Sequence, residues 1–337
     1  MSVTAARSSR DLLERIWFGS RYAALPLLPL AALFWLVSML RRLAYRSGLA
    51  PSERLPVPVV VVGNLTVGGA GKTPLVIWLT RHLRDRGIRA GVLSRGYRGS
   101  SRAFPVAVAP DTDPALVGDE PVLIARRTGC PVVVDPDRVR GARWLLGQTP
   151  CDLLIADDGL QHYRLARDLE ILVVDGERRL GNGFLLPAGP LREGTSRLRT
   201  VDLVVTNGGV PHRGEHAMAL RPGDLSSLAR PERRERLTDW RGRSVYAIAG
   251  IGNPERFFRM LRDHGLEVEA LPFPDHHAFT AADIEPPGDR PVLMTEKDAV
   301  KCRTFAGPRH WVVPVDAEPD TAFVTHLNAR LSELLDG

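Results

Sequence analysis

The sequence predicts an α/β protein: a parallel sheet with helices on both faces, a second and smaller α/β domain after it, and a membrane-associated N-terminal helix before it. Three observations carry this reading. Short aliphatic runs alternate with helix-length stretches along most of the 337 residues, the pattern of parallel strands joined by crossover helices. A strand, a glycine-rich loop and a helix succeed one another between Val57 and Arg86. Every residue between Arg21 and Arg41 is uncharged.

At roughly 100 to 200 residues per domain, the length suits about two domains. With 44% hydrophobic and 25% charged residues, fibres and wholly disordered chains are excluded. Cys130, Cys151 and Cys302 are too few and too scattered for a disulfide framework or a metal knuckle, which points to a reducing compartment. The net charge is +6, but residues 1–50 hold seven arginines against Asp11 and Glu14 and so account for +5 of it. A basic stripe along the body is therefore missing, and no nucleic-acid partner is expected.

Residues 1–50 read as a membrane-associated segment. Tyr22 to Leu40 is long enough to enter or cross a hydrocarbon core of ~30 Å. Pro26 and Pro29 would kink a helix there, and Leu12, Leu13, Ile16 and Trp17 fall at the spacing of a helix lying in the interface. A buried core helix is the competing reading; a cleaved signal is disfavoured, because no small-residue cleavage site follows.

The core domain, 51–208, opens with the strand Val57–Val62. Further strands are expected at Ala90–Leu93, Pro131–Val134, Leu153–Ile155, Ile171–Val174 and Leu203–Val205, with helices at Leu75–Arg86 and Arg138–Leu146. Residues 209–240, rich in Gly, Pro, Arg and Glu, read as a linker. In 241–337, strands are expected at Val245–Ala249, Pro291–Thr295 and Trp311–Val315, and helices at Pro254–His264 and Thr321–Leu335.

Chemistry enters with the loop Thr66-Val67-Gly68-Gly69-Ala70-Gly71-Lys72-Thr73. Its glycines let backbone N–H groups turn toward phosphate oxygens, the following helix adds its partial positive charge, Lys72 reaches the β and γ phosphates, and Thr73 offers a hydroxyl to Mg²⁺. The sheet is thus P-loop NTPase-like, with ATP and Mg²⁺ as ligands, although Thr66 stands where the pattern has its first glycine. Lysine usage adds weight, since Lys72, Lys297 and Lys301 are the chain's only lysines. Asp157 and Asp158 end a buried strand, a Walker-B-like place for Mg²⁺; helix capping by one of them is the plainer alternative. Arg95 and Arg192, in loops after apolar runs, are candidate phosphate contacts or ordinary surface charges, and Lys297 is equally readable as part of a surface ion-pair cluster.

Taken together, Gly63 to Pro74, Ser94-Arg95-Gly96-Tyr97, Gly118-Asp119-Glu120-Pro121, Asp157-Asp158-Gly159-Leu160-Gln161-His162, Leu186 to Glu193, Asp275-His276-His277 and Thr295 to Lys301 resemble the tetraacyldisaccharide 4′-kinase family of lipid A biosynthesis. The resemblance spans almost the whole chain. It implies transfer of the γ-phosphoryl group of ATP to the 4′-hydroxyl of a tetraacylated glucosamine disaccharide 1-phosphate, giving lipid IVA, at the cytoplasmic face of the bacterial inner membrane. It also implies Asp119 as general base and His276 as its partner. Glu120, Gln161 and His162 share those motifs and are candidate substrate contacts. A peripheral or singly anchored protein on an anionic surface is expected, with no obligate protein partner.

Two other classes share some features: a membrane-associated P-loop ATPase or GTPase working with a protein partner, and a tethered protein binding ATP only structurally. The turn Gly250-Ile251-Gly252-Asn253-Pro254-Glu255 is similar to a dinucleotide loop, but Glu255 replaces the third glycine, so it reads as a tight strand-to-helix turn.

Overall fold

The computed structural model describes residues 15–19 and 21–336; Leu12 and Leu13 lie outside them. Strands β1 (Val59–Gly63), β2 (Ala90–Ser94), β3 (Val106–Val108), β4 (Val132–Val134), β5 (Leu153–Asp157), β6 (Leu169–Asp175), β7 (Leu203–Asn207) and β8 (His216–Pro222) belong to a first sheet. Strands β9 (Leu225–Ser227), β10 (Arg234–Glu235), β11 (Ser244–Ala249), β12 (Glu267–Pro272), β13 (Val292–Thr295) and β14 (His310–Val313) form a second, and β15 (Val315–Pro319) returns to the first.

The first sheet runs β15-β8-β7-β6-β1-β5-β2-β4-β3. It is parallel from β8 to β4, with antiparallel edges at β15 and β3. β1 sits between β5 and β6 and is buried throughout, as an uninterrupted Val59-Val60-Val61-Val62 run requires when both faces are covered. The carboxyl ends of β1, β2, β5, β6 and β7 therefore line one edge, where open α/β sheets bind ligands.

Among the helices are α1 (Leu28–Arg46), α2 (Lys72–Asp85), α3 (Asp119–Thr128), α4 (Arg138–Gln148), α5 (Pro254–Asp263), α6 (Glu296–Cys302) and α7 (Thr321–Asp336). α2 begins at Lys72, three residues before the expected Leu75, and Pro74 takes a first-turn position where its missing N–H costs nothing. Leu75, Val76, Leu79 and Leu83 of α2 are fully buried against the first sheet. Each such burial contributes about 1.5–3 kcal/mol.

Two expectations about domain limits are corrected. Residues 209–240 are not a linker: β8 extends the first sheet, whereas β9 and β10 extend the second. Their periodicity is weak because they are short or half-exposed strands, β10 at the edge of its sheet and β8 and β9 one strand in. Nor does 241–337 form one domain. β15 pairs with β8, and Phe323, Leu327 and Leu331 of α7 pack into the core of the first sheet. The i, i+4 spacing of these three marks a helix but not the sheet that receives it.

At the N-terminus a 3₁₀ turn, Arg21–Leu27, holds Pro26 and leads into α1, with Pro29 in its first turn. Ala24 and Ala31 pack on Ala188 and Phe184, and the Trp17 indole donates to Pro187 O at 2.9 Å. Much of the segment's apolar surface is nevertheless open: Leu30, Leu33, Trp35, Leu36, Val37, Leu40 and Leu43 are all exposed. It is not a buried core helix. By length and composition, Arg21–Arg46 is sufficient to cross a membrane.

Candidate active site

Gly69, Ala70, Gly71, Lys72 and Thr73 of the loop after β1 line a cavity. Gly71 adopts φ +97°, and a Cβ there would lie 2.3 Å from Asn207 Nδ2, so only glycine lets Asn207 reach in from the end of β7 to bond Ala70 O at 3.0 Å. The segment 190–192 flanks the loop, with Val67 N donating to Pro190 O at 2.8 Å and Arg192 N to Leu65 O at 2.7 Å. Lys72 Nζ donates to Asn64 Oδ1 at 3.1 Å and lies 3.7 Å from Asp158 Oδ1. Arg192 forks onto both oxygens of Asp158, at 3.0 and 3.1 Å, and also bonds Asn64 Oδ1. Burial alone would raise the Asp158 carboxyl, but Lys72 and Arg192 hold it far below the usual carboxylate range.

The two neighbouring aspartates differ in state. Asp157 is buried at the end of β5, its Oδ1 has no hydrogen-bond partner, and burial together with the charge of Glu120 pushes its carboxyl upward. An orphaned carboxylate oxygen at a strand end fits a hard cation. Asp158, by contrast, is bonded by Arg192 and lies beside Lys72. No helix starts after Asp158, which instead takes φ +49° in a turn, so capping does not explain either residue.

Asp119 starts α3, and His276 follows β12 in the second sheet's lobe. The ring Nδ1 stands 3.1 Å from Asp119 Oδ2; Asp119 is buried and His276 partly so. His276 holds φ +58°, a conformation that costs a β-carbon residue of order 1–3 kcal/mol and persists only where the surroundings impose it. His276 N donates to Gly250 O at 3.1 Å and Tyr97 meets the ring edge-on. Burial would raise Asp119; the His276 hydrogen bond and the charges of Lys297 and Lys301 outweigh it and hold the carboxyl at about 2. Lys297 is not a surface charge. It lies at the lobe junction, 3.0 Å from Glu120 Oε1, and stays protonated because Glu120, Asp119 and Asp275 overcome its burial.

Further contacts bring the lobes together. A Cβ on Gly252 would lie 2.7 Å from Gly69 N, so the turn after β11 touches the phosphate loop directly. Asn253 is the N-cap and Pro254 opens α5, a tight strand-to-helix turn. Arg256 pairs with Asp175 at 2.8 Å, Arg178 donates to Gly252 O at 2.9 Å, and Arg127 bonds Glu296. Between the lobes lies a cavity of about 400 Å³ lined by Lys72, Thr73, Glu120, Lys297 and apolar side chains including Ile77 and Phe257. That is a size at which pockets take small ligands.

The remaining candidates divide. Gln161 Nε2 donates to Asn64 O at 3.4 Å and to Glu193 Oε2 at 3.3 Å, supporting the loop from beneath. His162 keeps Nε2 buried without a partner, and burial, then Arg138, lower its ring to about 4. Arg95 is exposed beyond β2. Residue patterns gave no separate weight to Asn64 or to Arg138, which is buried and donates to Asp157 O at 2.9 Å. Asn64 belongs to the Gly63 to Pro74 stretch; Arg138 carries no signal apart from starting a helix.

A phosphate loop, an orphaned strand-end carboxylate and a carboxylate–imidazole pair at the lobe junction define a P-loop phosphotransferase of two lobes. The family model described as tetraacyldisaccharide-1-P 4′-kinase matches residues 23–332. The chain belongs to that family. It is 53% identical to the tetraacyldisaccharide 4′-kinase of Methylobacillus flagellatus over 96% of this chain and 97% of that one. It is also 53% identical to that of Nitrosococcus oceani, over 96% and 95%. The crystal structure of LpxK from Aquifex aeolicus in complex with ATP superposes with a TM-score of 0.77 at 28% identity, covering 93% of this chain and 99% of that one.

Proposed function

We infer that this chain transfers the γ-phosphoryl group of ATP to the 4′-hydroxyl of tetraacyldisaccharide 1-phosphate, forming lipid IVA, with Asp119 as general base. The observation that carries the assignment of roles is the 3.1 Å contact between Asp119 and His276, made across the junction of two lobes beside the cavity that Lys72 lines. A fully ionised carboxylate is always ready to accept a proton, and kinases use one so because the hydroxyl proton leaves late in a loose phosphoryl transfer. Asp119 takes the 4′-hydroxyl proton, the 4′-oxygen bonds to the γ-phosphorus, and the bridge to the β-phosphate breaks to release ADP. Lys72 and the N-terminus of α2 stabilise the charge that builds on the phosphates. Thr73 and Asp157 would hold Mg²⁺, with Asp158 reaching it through water; bound there, the ion neutralises phosphate charge. Arg192 steadies Asp158 and Lys72.

The acylated acceptor is met at a membrane surface. The exposed apolar face of α1, with Arg41, Arg42 and Arg46 near its end, suits acyl chains below and anionic headgroups above. The need for ATP supports the cytoplasmic side of the inner membrane for that surface. A partner-driven ATPase would direct such a base at water rather than at a sugar hydroxyl. ADP release measured with and without the acylated disaccharide, in detergent, separates the two: a kinase requires the acceptor, and acceptor-independent turnover at full rate would remove the assignment.

A further inference from the structure

Lys297 and Lys301 lie one turn apart on α6, and with Lys72 they are the chain's only lysines beside 42 arginines, 45 basic residues in all. The geometry at Lys297 suits an ammonium. Its Nζ stands 3.0 Å from Glu120 Oε1, 3.2 Å from His276 Nε2 and 3.5 Å from Asp275 Oδ1. An ammonium has three N–H donors and no acceptor; the planar fork of an arginine does not converge on three acceptors from one atom. Because Lys297 can only donate, His276 Nε2 must accept. Because the Asp119 carboxylate can only accept, His276 Nδ1 must carry the proton. Both neighbours demand the same tautomer.

We propose that Lys297 is a positioning residue that fixes His276 as its Nδ1–H tautomer, so that the imidazole only donates and Asp119 alone is left to take the acceptor's proton. This rests on the kinase reading above. The other groups around the ring are Asp275, whose Oδ1 lies 3.8 Å from Nε2, Glu120, and the Tyr97 ring. Lys301 sits on the far side, 3.6 Å from Asp119 Oδ2 and 2.9 Å from Asp298 Oδ1, and faces the carboxylate rather than the imidazole. Without the Lys297 ammonium, Nε2 is free to carry a proton and donate to Asp275. The proton on Nδ1 is then no longer fixed, and Asp119 loses the donor that orients it.

The test is two-bond ¹H–¹⁵N correlation on the full chain in detergent with ¹⁵N-labelled histidine, the His276 signals identified by their loss in His276→Gln. Wild type should show a protonated Nδ1 and an unprotonated Nε2. In Lys297→Met, a protonated Nε2 should appear, and kcat should fall by roughly 10- to 10²-fold, no more than the loss of His276 itself costs, while KM for ATP changes little. Lys297→Arg keeps the charge at the lobe junction, so it covers the case in which the methionine variant does not fold; it should retain the Nδ1–H signature. Wild-type signals in Lys297→Met, or a protonated Nε2 in wild type, would overturn the proposal. A changed tautomer with unchanged kcat would overturn it as well. Failure of the kinase reading looks different: wild type itself would lack acceptor-dependent turnover.

Discussion

Removing Asp119 and His276 singly and together measures whether they act as one unit. Asp119→Ala deletes the proton acceptor, and general-base catalysis contributes up to about 10⁴-fold, or about 5 kcal/mol of barrier. His276→Ala deletes one hydrogen bond to an ionised group at 3.1 Å, worth about 1.5–3 kcal/mol, which is roughly 10- to 10²-fold. Independent roles would multiply to about 10⁵- to 10⁶-fold in the double variant. If the ring acts only by orienting the carboxylate, nothing is left for it to orient once Asp119 is gone. The double variant should then stay within a few-fold of Asp119→Ala, with a coupling energy of about 1.5–3 kcal/mol. The assay is kcat from acceptor-dependent ADP release at saturating substrates, with ATP binding measured separately by equilibrium titration and expected to be nearly intact. Strictly multiplicative losses would refute the shared role and leave His276 as a lobe contact.

Two further outcomes follow from the same geometry. Burial and Glu120 raise the Asp157 carboxyl, so protons compete with Mg²⁺ for it; apparent Mg²⁺ affinity should fall as pH is lowered below neutrality, and Asp157→Asn should both weaken Mg²⁺ activation and abolish that slope in a Mg²⁺ titration followed by initial rates. Replacing the exposed Leu33, Leu36 and Leu40 with serine should leave the thermal midpoint unchanged but cut sedimentation with anionic vesicles and raise the apparent KM for the acylated acceptor, because each leucine gives up about 1.5–3 kcal/mol of apolar burial in the bilayer.

Local signals in the sequence were strong where chemistry and backbone agree. The run Val59 to Val62, the glycines after it and the aspartates closing β5 each announce their role through composition within a few residues. Long-range placement was not legible in the same way. α7 has the spacing of a helix that packs on something, yet only the antiparallel pairing of β15 with β8 carries it back to the first sheet. Asp158 illustrates the limit at the site: its neighbourhood with Asp157 suggests twin metal ligands but says nothing of the fork of Arg192, from a segment 34 residues on, that bonds both of its oxygens. Lys297 is buried only because the two lobes meet, and a motif of alternating charges on a short helix gives no sign of that.

The measurement that bears most directly on phosphoryl transfer is the fate of a labelled γ-phosphoryl group. With γ-labelled ATP, Mg²⁺ and the tetraacylated disaccharide 1-phosphate in mixed micelles, wild-type protein should place one label per ADP on the disaccharide, and ³¹P–¹H correlation should locate it at the 4′-carbon. Asp119→Ala should bind ATP and transfer almost none. Label recovered as inorganic phosphate at the rate of ADP release, or attached at any position other than the 4′-oxygen, would contradict the assignment.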